Sequence, residues 1–159
     1  MRLRRLLAAA PLALGLALAP GVGSPAWAGP PQVVQGTFVV DPATFMLERE
    51  EPTGPVGRLW FAFTADTLTE EFGTGTFTDR QDCLQRGDLL YCRGRGTVAG
   101  DDGSSGTIRS HFTCTLALVC EGRSVFVGTY GDGSPLVYTS EVLGAGDGTG
   151  SFTATIRTG

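Results

Sequence analysis

Residues Gly106–Leu143 read GTIRSHFTCTLALVCEGRSVFVGTYGDGSPLVYTSEVL. Along Thr107–Cys114, Ile108, Ser110, Phe112 and Cys114 fall on one side, and Thr107, Arg109, His111 and Thr113 on the other. Successive side chains of a strand point to opposite faces, so a period of two marks a half-buried strand. Ser124–Tyr130 and Leu136–Leu143 have the same β-branched and aromatic character and are joined by a Gly-Asp-Gly-Ser-Pro turn. Three antiparallel strands in a meander are expected here.

Five more strands are expected outside this stretch. Upstream lie Gln32–Val40, Arg58–Asp66, Gly73–Cys83 and Leu89–Val98; downstream, after the turn GAGDGTG (Gly144–Gly150), lies Ser151–Thr158. In Arg58–Asp66, Leu59, Phe61, Phe63 and Ala65 share one face, while Trp60 and Ala62 make the other face apolar too. Asp41–Pro55 contains Pro42, Pro52, Pro55 and the acids Glu48, Glu50 and Glu51, which predicts a long loop.

Gly87-Asp88 predicts a two-residue hairpin of the type that starts with glycine. Counting outward from it, Arg86 faces Leu89, and Cys83 faces Cys92 at a non-hydrogen-bonded site. Cα atoms approach to about 4.5 Å at such sites, within disulfide range. The remaining pair, Cys114 and Cys120, meets if Leu116–Leu118 forms a three-residue loop centred on Ala117. That loop has no Gly, Asn or Pro. Zinc is a poor rival: no CxxC spacing is present and the single histidine, His111, lies three residues before Cys114.

An even number of cysteines suits an oxidising compartment. The N-terminus agrees. Arg2, Arg4 and Arg5 precede an apolar run from Leu6 to Ala19, and Ala26-Trp27-Ala28 is a small-x-small cleavage site. Residues 1–28 are therefore expected to be a signal peptide, with a secreted or periplasmic single domain over 29–159 and no membrane span in the mature chain. Cleavage removes three of the 12 basic residues and none of the 16 acidic ones, leaving nine against sixteen, a balance of −7. Such a chain is not expected to seek nucleic acid or an anionic membrane.

Eight short strands with successive hairpin connections predict an all-β fold, an eight-stranded antiparallel up-and-down barrel, with a two-sheet β-sandwich as the alternative. Closure removes both exposed edges. A barrel of eight strands either fills with side chains or holds one small ligand. Candidate ligand-lining residues are Phe61, Phe63, Ser110, Phe112, Phe126, Tyr138, Ser140 and Phe152, which fall in the inward sets.

Catalytic signals are weak. His111 alternates with Arg109 and Thr113 on the polar side of its strand, where an exposed histidine is the plain reading, and no Ser-His-Asp or Cys-His pattern is visible. Asp101-Asp102-Gly103 and Gly131-Asp132-Gly133 resemble fragments of calcium loops but lack the alternating carboxylates and terminal Glu. No catalytic residue, cofactor or resident metal is expected.

The strand ending in VGTY, the hairpin through GDGSPLVYTSEVL and the closing Gly-x-Gly-Ser-Phe strand resemble the end of the allene oxide cyclase-like and dirigent-like barrels, over roughly Gly94–Gly159. That resemblance implies an eight-stranded barrel around a central apolar cavity, which in the cyclases holds an oily substrate. No cyclase site residue matches a position of this chain. The expectation is a secreted, disulfide-stabilised barrel binding a small apolar molecule. The alternative is an extracellular structural or interaction domain with a packed core and no ligand.

Overall fold

The computed structural model describes residues 30–53 and 56–157. The expected signal peptide and Thr158, the last residue of the final expected strand, lie outside that range. Nine strands form one antiparallel sheet: β1 (Gln32–Val40), β2 (Met46–Thr53), β3 (Val56–Thr69), β4 (Gly73–Arg86), β5 (Leu89–Gly100), β6 (Ser105–Thr115), β7 (Val119–Thr129), β8 (Pro135–Ala145) and β9 (Thr149–Ile156). Each of β3 to β9 pairs with the next, and β1 pairs with both β9 and β3. Eight strands thus close into a barrel, and β2 is a ninth strand outside it.

β2 corrects one expectation, since half of the expected loop Asp41–Pro55 is a strand. The reason is tertiary. β3 is 14 residues long, and β1 covers only Ala65–Thr69 of its edge. The chain turns at Asp41, whose amide donates to Thr64 O, and Thr44 Oγ1 accepts from Thr64 N. β2 then runs along the uncovered Val56–Ala62, with a bulge between Leu47 and Arg49. Its outer edge has no strand partner among the described residues and carries Glu48, Arg49, Glu50 and Glu51, charges that blunt an exposed edge. β2 also explains Trp60, the outward aromatic of β3. The guanidinium groups of Arg49 and Arg58 lie 5.2 and 4.9 Å from its ring centroid.

The barrel's width follows from its register. Partners traced from Cys83 through Cys92, Phe112, Gly122, Val142, Phe152, Gly36 and Thr69 return to β4 at Gly73, ten residues from the start. Eight strands with that stagger tilt by about 40° and set a backbone diameter of about 16 Å. Inward side chains from opposite walls then meet near the axis unless they are small.

Both disulfides form as spaced, Cys83–Cys92 and Cys114–Cys120, each with Cα atoms 4.0 Å apart. Gly87 takes φ 58° in the first hairpin. In the second, a residue of φ 59° is needed at the third loop position, and Leu118 supplies it without glycine. All four sulfurs point inward. With Phe61 and Leu90 they form an apolar cluster toward one end of the barrel. Val34, Phe126, Leu136 and Ile156 form a second cluster toward the other.

Candidate functional site

Between the two end clusters the inward wall changes character. One row of paired residues crosses all eight barrel strands: Phe61, Gln81, Gly94 and Ser110, then Ser124, Ser140, Ala154 and Val34. All eight are buried. Five consecutive members, Gly94 to Ala154, have small side chains. The neighbouring rows carry Phe63, Phe112, Phe126, Tyr138 and Phe152. In a barrel this narrow, a row of Gly, Ser and Ala leaves space that large side chains would fill, and a cavity of about 230 Å³ lies there.

The cavity has two unlike sides. Phe61, Phe63, Phe77 and Phe38 form a chain of ring contacts with centroids 5.7–6.2 Å apart on β3, β4 and β1. β7 stands opposite β3 in the strand order, and there the wall is hydroxylic. Ser124 Oγ and Ser140 Oγ lie 2.6 Å apart. Beside them, Ser110 Oγ donates to Asp79 Oδ2 over 2.9 Å and accepts from Gln81 Nε2 over 2.9 Å, while Gln81 Nε2 also donates to Asp79 Oδ2 over 2.5 Å. Gly94 is the gap that admits this cluster. A Cβ there would overlap Ser110 Oγ, Gln81 Nε2 and Asp79 Oδ1.

Asp79 is 4% exposed and Gln81 1%. Asp79 Oδ1 and Gln81 Oε1 are buried with no hydrogen-bond partner among the described residues. Burial pushes the Asp79 carboxyl up to about 6, against the pull of the Ser110 and Gln81 hydrogen bonds. The amides of Arg80 and Arg95 lower it slightly more through their dipoles, without hydrogen-bond geometry to Oδ1. Burial alone pushes the Tyr138 hydroxyl up to about 12, and its ring stacks on Phe126 at 4.6 Å.

The eight residues singled out from the sequence (Phe61, Phe63, Ser110, Phe112, Phe126, Tyr138, Ser140 and Phe152) all border this cavity. Sequence reasoning passed over Asp79, Gln81 and Ser124. The signal for the first two was present: counting back by twos from Cys83, whose inward side the hairpin sets, gives Gln81 and Asp79. Their polarity argued the wrong way.

His111 stands on the outer wall, exposed, in register with Arg93 and Arg123 on its neighbours. The next outward row holds Arg80, Arg95 and Arg109, also in register. Every arginine among the described residues, and His111, is on the exposed surface. The two calcium-like turns do touch, with Gly131 against the backbone of Asp102. Each carboxylate is engaged locally, however: Asp102 accepts from Ser104 N, Asp132 from Ser134, and Asp101 from Thr74. Among the described residues no three His, Cys, Asp or Glu side chains converge as metal ligands, and no helix is long and apolar enough to cross a membrane. The two disulfides fit an extracellular or otherwise oxidising compartment.

No protein-family model, curated protein or solved structure matches this chain.

Proposed function

We propose that the protein is an exported carrier or receptor for one small, largely apolar molecule held in the barrel. A single observation carries this reading. The chain places five small residues in succession around the middle of a lumen, with an apolar cluster to either side. An engineered cavity of about 150 Å³ suffices to bind benzene, so a cavity of 230 Å³ has room for a larger guest. At roughly 20–30 Å³ per non-hydrogen atom, that guest has about ten of them. Export, and an ancestry shared with the cyclase-like barrels, belong to the same proposal.

Titration of the purified mature chain with 1-aminonaphthalene, a neutral fluorophore of eleven non-hydrogen atoms, tests the reading. One saturable site per chain is expected. Ser124→Leu, which places a branched side chain in the cavity, should abolish it while far-ultraviolet circular dichroism stays β. Absence of saturable binding to the native chain refutes the proposal.

A further inference from the structure

We infer that the lumen selects a neutral oxygen-bearing ligand, a ketone, ester or alcohol, over a carboxylate of the same shape. The inference rests on the ligand-binding reading above and names the ligand's chemistry.

It begins with a count of protons. Ser124 and Ser140 together carry two hydroxyl protons, and the contact between their oxygens consumes one. The other has no acceptor among the described residues. Both side chains are more than nine-tenths buried, and both border the cavity. A buried donor left unpaired costs about 1–3 kcal/mol, so a ligand bringing an acceptor oxygen to this pair gains more than one that does not.

The charge of the lumen settles which acceptor. A carboxylate is the strongest acceptor oxygen, but it must be neutralised or well solvated when buried. Among the described residues no cation is at hand, because every arginine there and His111 face outward. Among the described residues the one ionisable carboxyl on the inner wall is Asp79, in the row beside the serines and bonded to Ser110. An anionic ligand would bury a second negative charge near the first. A neutral carbonyl or hydroxyl oxygen satisfies the free serine proton without that repulsion. The aromatic wall opposite accepts the apolar body, with the polar end of the ligand toward β7 and β8.

The test is competition against 1-aminonaphthalene at pH 7.5 with three probes of nearly equal size. They are butylbenzene, 4-phenylbutan-2-one and 3-phenylpropanoate, the last carrying a carboxylate oxygen in place of the ketone's methyl group. The ketone is expected to compete at least tenfold more strongly than the carboxylate. Ser124→Ala/Ser140→Ala should weaken the ketone about fivefold to tenfold, the worth of one hydrogen bond, and leave butylbenzene unchanged or tighter. Asp79→Asn should narrow the gap between ketone and carboxylate. Equal competition by ketone and carboxylate, or equal loss of ketone and butylbenzene in the double variant, overturns the selection while leaving the cavity a binding site. Failure of the fluorophore itself to bind overturns both.

Discussion

Replacing Asp79 with Asn should stabilise the protein at neutral pH and remove part of its pH dependence. The carboxyl titrates at about 6 in the folded chain against an ordinary value of 3.8. Below pH 3.8 it is protonated in both states and contributes nothing. Between 3.8 and 6 the unfolded chain releases the proton and the folded chain holds it, so stability falls as pH rises. Above 6 the full cost of a buried carboxylate is present. A difference of about two pH units at 1.36 kcal/mol each gives about 3 kcal/mol, an upper figure because the group can relax toward its neighbours. Asparagine has nearly the same shape and carries no charge. Urea unfolding of both proteins from pH 4 to pH 8 is the assay. The two should agree near pH 4 and diverge to about 2–3 kcal/mol by pH 7.5, the variant being the more stable. Asp82, Asp132 and Asp147 have carboxyls held low by hydrogen bonds from Arg58, Ser134 and Thr149, so their contribution is lost as pH falls. That loss is common to both proteins and cancels in the difference. Parallel pH profiles would refute the assignment of Asp79 as a buried, destabilising carboxylate.

Leu118→Gly should raise stability by about 0.5–1 kcal/mol, since a left-handed residue with a Cβ costs about 1–2 kcal/mol and glycine's extra freedom in the unfolded chain returns part of it. A lower denaturation midpoint would mean that the loop geometry is wrong. Cys83→Ala/Cys92→Ala should cost about 3 kcal/mol while the dichroism spectrum stays β, because the ring it opens is short and the sulfurs sit in the end cluster. Arg95→Thr should raise the melting temperature slightly in low salt, and the gain should vanish in about 1 M salt, because Arg95 stands directly between Arg80 and Arg109. Gly94→Ala should cost about 1–3 kcal/mol by forcing the Asp79–Gln81–Ser110 cluster apart, an effect that a surface glycine would not show.

The alternation of Thr107–Cys114 and its neighbours was enough to place strands and inward faces, because a slip of one residue would turn Phe112 and Ile108 to solvent. The Gly87 hairpin fixed Cys83 against Cys92 for the same local reason. What the sequence hid was decided by distant partners. Nothing in MLEREEPT favours a strand; it becomes one because β1 leaves part of β3 unpaired. Asp79 and Gln81 obey the period of two as well as Phe77 does, yet a charged residue on an apolar face reads as a break in the pattern. Which small residues stand side by side was also hidden. Ser110, Ser124, Ser140 and Ala154 come from four strands, and only the register aligns them.

That alignment bears on why the middle of the barrel is built as it is. An apolar cavity of 230 Å³ left dry would cost up to about 5 kcal/mol at the rate seen when core side chains are deleted. The buried Asp79 adds a further penalty at neutral pH, and an unpaired serine proton adds another. These costs do not scatter over the molecule. They fall within two adjacent rows, while the ends of the same lumen are filled by apolar clusters and disulfides. A core shaped for stability alone would carry Val or Leu at Ser124, Ser140 and Ala154, each compatible with a strand facing a narrow lumen. Concentrated local cost beside well-packed ends is the pattern of a site whose deficit an occupant removes. Such an occupant binds only the folded chain, so it should raise the melting temperature in proportion to the logarithm of its concentration. Ala154→Val should stabilise the empty chain and weaken that ligand-dependent rise together. A variant that gained stability and kept the full rise would show that the cavity and the binding site are different places.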